Sequence, residues 1–424
     1  MNLRSENHRV LDLAMVLVLF IAGAIASWYL SQLLAGDLIG KGSGNVWFDG
    51  DSPRVYQNLT SSSSNHYRTQ IHPISSLLLH PFAVVTTEVM GLSVFVSVRI
   101  LMALVSGLAL TVFYWFARLT EASPAPATAF AALFATSAAF IHWSGVPELF
   151  LFSALTLCVL LVVAAQGRSA GYPLWVVASA LSLSVTITNW MFGVIATFFT
   201  WDRPTFVKIT TAALGLVAVL SVVQLLAYEN AKLFFDPRGL MAETHWTQLK
   251  MEGRGEVKWT PLRNLWSQFV VTVVAPRPEV LVMPSGYASV NNHYGSFRDT
   301  GLLTLTAAAA WTALFSISTG AALLMGKHRR LASGLVIALL GQAALHSIYG
   351  FPTFLYSFHF LPFLIGLVVL AYQTRMRALI MALTLIVCLA GGISNYQQFR
   401  HGVDALQSVK CSLVPAAQPE YCQS

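Results

Sequence analysis

Of the 424 residues, 56% are hydrophobic and only 10% charged, with a mean hydropathy of +0.64. Soluble domains carry about a quarter charged residues, so a soluble fold is excluded and the chain reads as an all-α polytopic membrane protein. Its net charge of +7 does not point to nucleic acid, because most of the basic residues sit in short turns between apolar runs, where positive charge fixes membrane orientation.

In chain order, apolar runs fall at 10–34, 92–118, 124–144, 147–166, 172–188, 190–201, 206–228, 299–325, 331–349, 354–372 and 378–396. That is about eleven spans, on the criterion of roughly 20 apolar residues each and fewer where helices pack as short pairs. The run from 172 to 201 is split at Thr188-Asn189-Trp190, because one continuous helix would reverse the charge bias of every later loop. With the N-terminus inside, the inner turns carry Arg4 and Arg9, then Arg118, Arg168, Arg203 with Lys208, the cluster from Lys327 to Arg330, and Arg375 with Arg377. The short outer connections hold no Lys or Arg, so one orientation satisfies all of them. It divides the chain into a module over 1–228 with a first outer loop at 35–91, a large outer loop at 229–298, C-terminal spans over 299–396 and an outer tail at 397–424. The stretches Ile74–Met90 and Leu265–Ala275 are apolar but short, and read as helices lying on or dipping into the interface.

Four cysteines are too few for a disulfide scaffold. Cys158 and Cys388 lie within apolar runs and read as small buried hydrophobes. Cys411 and Cys422, in the polar tail, could pair in an oxidising compartment.

The one polar stretch before residue 200 long enough to host chemistry runs from Trp47 to Pro81. It crowds Asp49, Asp51, Arg54, Arg68, His66, His72 and His80 between two apolar runs. Asp51 before Ser52-Pro53 also fits a helix N-cap with Pro at the first helical position. Ser61–Ser64 reads as a flexible link, suited to a loop that orders on ligand binding.

Asp51-Ser52-Pro53-Arg54-Val55-Tyr56, followed by His72-Pro73 and then by the run opening Arg99-Ile100-Leu101-Met102-Ala103-Leu104, resembles the start of GT-C superfamily glycosyltransferases. In that pattern a first-loop acid precedes a Tyr by a helical turn, His-Pro follows, and an Arg opens the next span. The turn from His142 to Glu148 is similar to an outer turn where members often carry Glu. Tyr356-Ser357-Phe358-His359 is similar to a late-span motif that more usually has Arg at the place of His359. The resemblance, to members of the mannosyltransferase and aminoarabinose transferase type, covers most of 10–228. It implies a polyprenyl-phosphate-linked sugar donor, an active site facing the periplasm or cell exterior from the cell (inner) membrane, and inversion at the anomeric carbon. The acceptor would be a glycan, lipid or protein.

Such a transfer needs one base and one cationic clamp. The phosphate leaves as a weakly basic anion that cations stabilise, and the acceptor hydroxyl needs a carboxylate to take its proton. Asp51 is the candidate base by family position and Asp49 the second. Arg54, Arg68 and Arg298 are candidates for the phosphate, since guanidinium groups grip its oxygens with paired hydrogen bonds; contact with lipid headgroups is the competing role for Arg54 and Arg68. Tyr56, His72, Glu148, His293 and His359 complete the candidate substrate contacts. Arg99, a charge near a span end, either snorkels to the interface or pairs with a site carboxylate such as Glu148. Several histidines with Asp49 and Asp51 could hold a divalent cation, but no tight ligand spacing appears. Two other functions stay open. A polysaccharide ligase or polymerase would use a diphosphate-linked saccharide. A lipid or sugar transporter would carry ionisable groups at mid-span and paired, broken helices, and apart from Arg99 the span centres are clean.

Overall fold

An apolar run that leaves water can satisfy its own backbone only as a helix. The computed structural model, which describes residues 6–34, 45–253, 258–282, 288–292 and 295–413, is helical almost throughout. The first half contains α1 (Glu6–Leu33), α2 (Ser52–Thr60), α3 (Ser75–Val84), α4 (Val94–Leu119), α5 (Pro124–Thr136), α6 (Ala138–Trp143), α7 (Leu149–Gln166), α8 (Tyr172–Val185), α9 (Trp190–Thr200) and α10 (Arg203–Ala227). Three short helices follow, α11 (Pro237–Glu243), α12 (Gln248–Gly253) and α13 (Pro261–Trp266). The chain ends with α14 (Gly301–Leu324), α15 (Arg329–His346), α16 (Ser357–Ala371), α17 (Arg377–Ile386) and α18 (Gly392–Leu413).

Among the described residues seven helices are long and apolar enough to cross a membrane, and three apolar helices, at Pro124–Thr136, Tyr172–Val185 and Ile187–Thr200, are shorter. Every expected span coincides with helix, but three are too short, and α15, at 18 residues, falls short on apolar character, so eleven is not reached. Side-chain caps at Ser137 and Asp202, and an extended residue at Thr186, mark the interruptions. Ser137 is extended (φ −65°, ψ 151°), ends α5, and accepts the Phe140 N–H at 3.2 Å to start α6. Thr186 (φ −154°, ψ 127°) separates α8 from α9 close to the expected break. Asp202 with Pro204 opens α10.

The helices α1 and α4 lie antiparallel. At one end Asp12 accepts from Arg118 Nε and Nη2 at 2.6 and 2.9 Å and from the Tyr114 hydroxyl at 2.6 Å; at the other, Arg99 Nη2 donates to Ser31 O at 2.9 Å. Between them Gly107 lets the backbones meet: a Cβ there would stand 2.5 Å from Phe20 O.

Two further features complete this helical fold. Among the described residues β1 (Glu279–Val282) and β2 (Ala288–Asn291) form an antiparallel hairpin, with Val280 opposite Val290. Val290 also exchanges backbone hydrogen bonds with Val46 and Phe48, at 2.8 and 2.9 Å, which fastens the first loop to the second. The stretch 397–413, expected as the start of an outer tail, is helical. The last helix continues from α17 through a π-helical turn at Val387–Gly391 into α18. It continues because Phe399, Val403 and Leu406, spaced on one helical face, are buried, Phe399 edge-on to Trp47 at 5.6 Å.

Of the two apolar stretches expected at the interface, Val270, Val271, Val273, Val274 and Ala275 are buried inside the protein. Exposed apolar surface lies just before them, at Leu262, Leu265 and Trp266. Ile74–Met90 forms α3 and a π-helical turn at Val85–Val89, with Leu78, Val85, Val89 and Met90 exposed.

Candidate active site

The first loop folds back over the bundle because its polar residues find partners far along the chain. Asp51 stands at the N-terminus of α2, with Pro53 just inside the helix, but its carboxylate caps no backbone N–H. It is turned to side chains instead: Asn45 Nδ2 donates to Oδ1 at 3.0 Å, and Arg54 Nη2 to Oδ2 at 2.5 Å. Arg68 Nε lies 4.0 Å from the same Oδ2. Burial alone would raise the Asp51 carboxyl; the Arg54 and Arg68 guanidinium groups and the two hydrogen bonds outweigh it and hold the group below the usual carboxylate range.

Arg68 is shared between two acids. Its Nη1 donates to both oxygens of Glu243, at 2.8 and 2.9 Å, and Glu243 also accepts from Gln70 Nε2 at 2.5 Å and from the Tyr349 hydroxyl at 2.6 Å. Glu243 ends α11, so this cluster ties the large loop to the first loop and to the turn after α15.

These groups open into a cavity of about 280 Å³. Asp51, Arg54, Arg68, His72, Glu148 and His359, six of the candidates read from the sequence, line it together, although they span more than 300 residues of chain. The remaining wall is largely apolar, from Phe150, Ile187, Leu240, Leu345 and Leu355. Buried polar atoms lack hydrogen-bond partners in this wall: Arg54 Nε, Arg68 Nε, Glu148 Oε1, Thr188 Oγ1 and both ring nitrogens of His359. Most buried polar groups are paired, so these atoms are left to pair with whatever enters the cavity.

Glu148 is the N-cap of α7, where its Oε2 accepts the Leu149 N–H at 3.3 Å. Burial, with the nearby Asp51 charge, pushes its carboxyl up to about 8, against the opposing pull of Arg54 and Arg68. His72 is also buried, and Nδ1 meets Val185 O at 2.7 Å. Burial, then the Arg68 and Arg54 charges, lower it to about 3, so it is neutral and acts as a brace between the first loop and the break after α8.

Other candidates stand elsewhere. Asp49 sits outside the cavity lining in a left-handed turn (φ 55°), and burial pushes its carboxyl up to about 7 despite a hydrogen bond with Ser289. Tyr56 is half-buried on α2, away from the cavity. Arg99 does not pair with Glu148. It donates to Ser31 O and lies 4.0 Å over the Phe95 ring, so the alternative pairing is corrected. His293 is outside the described residues, as is the Arg298 side chain. In Ser61–Ser64, Ser61 O accepts from His66 Nε2 at 2.9 Å and Ser64 Oγ lies 3.0 Å from the same nitrogen, while His66 Nδ1 is hydrogen-bonded with Ser76 Oγ at 2.7 Å. Among the described residues no three His, Cys, Asp or Glu side chains converge on a metal position.

Neither a family model, a curated protein nor a solved structure matches this chain. The chemistry of the cavity is therefore judged on its own atoms.

Sequence reasoning missed Glu243, Tyr349 and His346. His346 carried a usable signal, an ionisable residue at the end of an apolar run. Glu243 carried none, as one acid among several in a long polar loop whose contacts are all tertiary.

Proposed function

We propose that the protein is a glycosyltransferase of the GT-C type that moves a sugar from a polyprenyl-phosphate donor to an acceptor hydroxyl. The observation that carries this reading is the Asp51 carboxylate held between Arg54 and Arg68, all three lining the cavity and each guanidinium retaining a buried Nε without a hydrogen-bond partner. A phosphate entering there takes up those donors. It also draws the two guanidinium groups away from Asp51, which raises the carboxylate's basicity when the donor is in place.

In the reaction the acceptor oxygen forms a bond to the anomeric carbon on the face opposite the phosphate, the carbon–oxygen bond to phosphate breaks, and its electron pair leaves with the polyprenyl phosphate. Asp51 takes the hydroxyl proton. Arg54 and Arg68 stabilise the charge that grows on the phosphate. Glu148, protonated at neutral pH, offers an O–H to a sugar hydroxyl, and His359 lies within the same wall. The apolar side of the cavity suits the first isoprene units of the donor. The reading places the N-terminus in the cytoplasm and the cavity at the outer face of the cell membrane. In support, Arg168, Lys327, Arg329 and Arg330 gather around one pocket at the ends of α7 and α15 away from Glu148 and His346.

Purified protein is incubated with short-chain polyprenyl monophosphate and diphosphate sugars in separate reactions. Release of polyprenyl phosphate from the monophosphate donor, lost in Asp51→Asn, is the expected result. Turnover of the diphosphate donor alone assigns the chain to the ligase or polymerase class instead, and full activity of Asp51→Asn removes Asp51 from the chemistry.

A further inference from the structure

The helices α7 and α15 both connect the cavity to a second, larger pocket. α7 starts after Glu148 and ends beside Gly167 and Arg168; α15 starts at Arg329 and ends at His346. Each has 18 residues, about 27 Å at 1.5 Å per residue, close to the roughly 30 Å of a bilayer's hydrocarbon core. The second pocket, of about 680 Å³, therefore lies at the other end of the bundle.

Its lining divides by chemistry. Arg168, Lys327, His328, Arg329 and Arg330 line the pocket with no acidic residue among the described lining, and Phe192, Ala196, Phe199 and Leu331 supply apolar lining. Two of the cations are engaged elsewhere: Lys327 pairs with Glu121, and Arg168 Nε donates to Thr200 O at 2.9 Å while lying over Trp201. Arg329 and Arg330 have no carboxylate partner among the described residues, and His328 Nε2 is buried without a hydrogen-bond partner. The first turn of α15, whose N-cap His328 makes no side-chain cap bond, adds the positive end of its dipole at the same place.

A basic pocket between membrane helices that also has apolar lining matches a molecule with a phosphate and a hydrocarbon chain. We propose that this pocket binds an anionic glycerophospholipid. Its phosphate meets Arg329, Arg330 and the start of α15, and one acyl chain lies along Phe192, Phe199 and Leu331. A lipid seated there packs against the ends of α7, α9 and α15, and so against two helices whose far ends carry Glu148 and His346.

The test is native mass spectrometry of the full chain in nonionic detergent, titrated with phosphatidylglycerol, with phosphatidylcholine and with inorganic phosphate. Phosphatidylglycerol is expected to stay bound where phosphatidylcholine does not, with inorganic phosphate at millimolar concentration failing to displace it. The double variant Arg329→Gln with Arg330→Gln should weaken phosphatidylglycerol binding roughly thirty-fold, the factor that two surface cations supply. The matching double Lys variant should retain it, and so should Arg375→Gln with Arg377→Gln on a neighbouring turn. If the double Gln variant does not fold, Arg329→Gln alone is read in the same way, with a loss of about fivefold. Equal retention of phosphatidylcholine, undiminished binding in the Gln variants, or inorganic phosphate binding as tightly as the lipid would each overturn the assignment, the last in favour of a free-anion pocket.

Discussion

Glu243 receives Arg68 Nη1 on both of its carboxylate oxygens, at 2.8 and 2.9 Å, across 175 residues of chain. This contact closes one side of the cavity and holds Arg68 within reach of Asp51. Removing one partner of a buried ion pair costs about 3–5 kcal/mol, because the other charge is left uncompensated. Glu243→Ala is therefore expected to lower the melting temperature and to speed hydrogen exchange over 237–253. Unchanged protection there would show that the large loop is held by something else.

Asp51→Asn keeps the side chain's size and removes its charge. If Asp51 takes the acceptor proton, transfer per folded molecule falls by about 10²–10⁴-fold, and the melting temperature falls as well, because Arg54 and Arg68 lose the carboxylate they share. Asp51 is held below the ordinary carboxylate range in the free protein, and a base must be ionised to act. The acid limb for kcat/KM should thus lie below the usual carboxylate value rather than near neutrality. An acid limb near pH 7 would point to Asp49 or Glu148 in its place.

Glu148 gives a pH dependence of the opposite sense. Its carboxyl sits at about 8 in the folded protein against 4.5 ordinarily, so the folded state holds a proton that the unfolded state releases. Stability from this group is full below about pH 4.5 and is lost progressively as pH rises to about 8. Asp49, raised to about 7, titrates within the same window, so the informative quantity is the difference between wild type and Glu148→Gln. The variant should lose part of the decline in melting temperature between those pH values; parallel curves would mean that Glu148 is ionised in the fold.

At the far end of α1 and α4, Asp12, Arg118 and Tyr114 form a buried cluster. Asp12→Ala strands a buried guanidinium and should cost about 3–5 kcal/mol, while transfer per folded molecule stays near wild type because the cluster is remote from the cavity. Thermal melting in detergent, with activity normalised to folded protein, separates the two effects. A loss of specific activity without a loss of stability would contradict this structural role.

Gly107 tests the α1–α4 contact without changing charge. A methyl group there meets Phe20 O at 2.5 Å and the Phe20 ring at 2.8 Å. Gly107→Ala is expected to destabilise by about 1–3 kcal/mol, the usual cost of overpacking. The same change at Gly215, whose Cβ position is open, should be neutral or slightly stabilising through helix propensity.

The amino-acid sequence by itself determined the helical membrane character, the positions of the apolar helices and the break after α8. Those follow from local physics: backbone hydrogen bonds must be satisfied within an apolar run, and Ser, Asp and Pro end or start helices through their own side chains. It also singled out Asp51, Arg54 and Arg68 as a polar cluster flanked by grease. Only the tertiary structure decided that Glu243 and Tyr349 join that cluster, that Arg99 and Asp49 stand apart from it, and that the helix Gly392–Leu413 packs on Trp47. Each of these depends on which distant surface a side chain meets. The pairing of Arg68 with Glu243 is an energy of contact between segments that share no local pattern, and the 399, 403, 406 spacing marks an apolar helix face without naming Trp47 as what it meets.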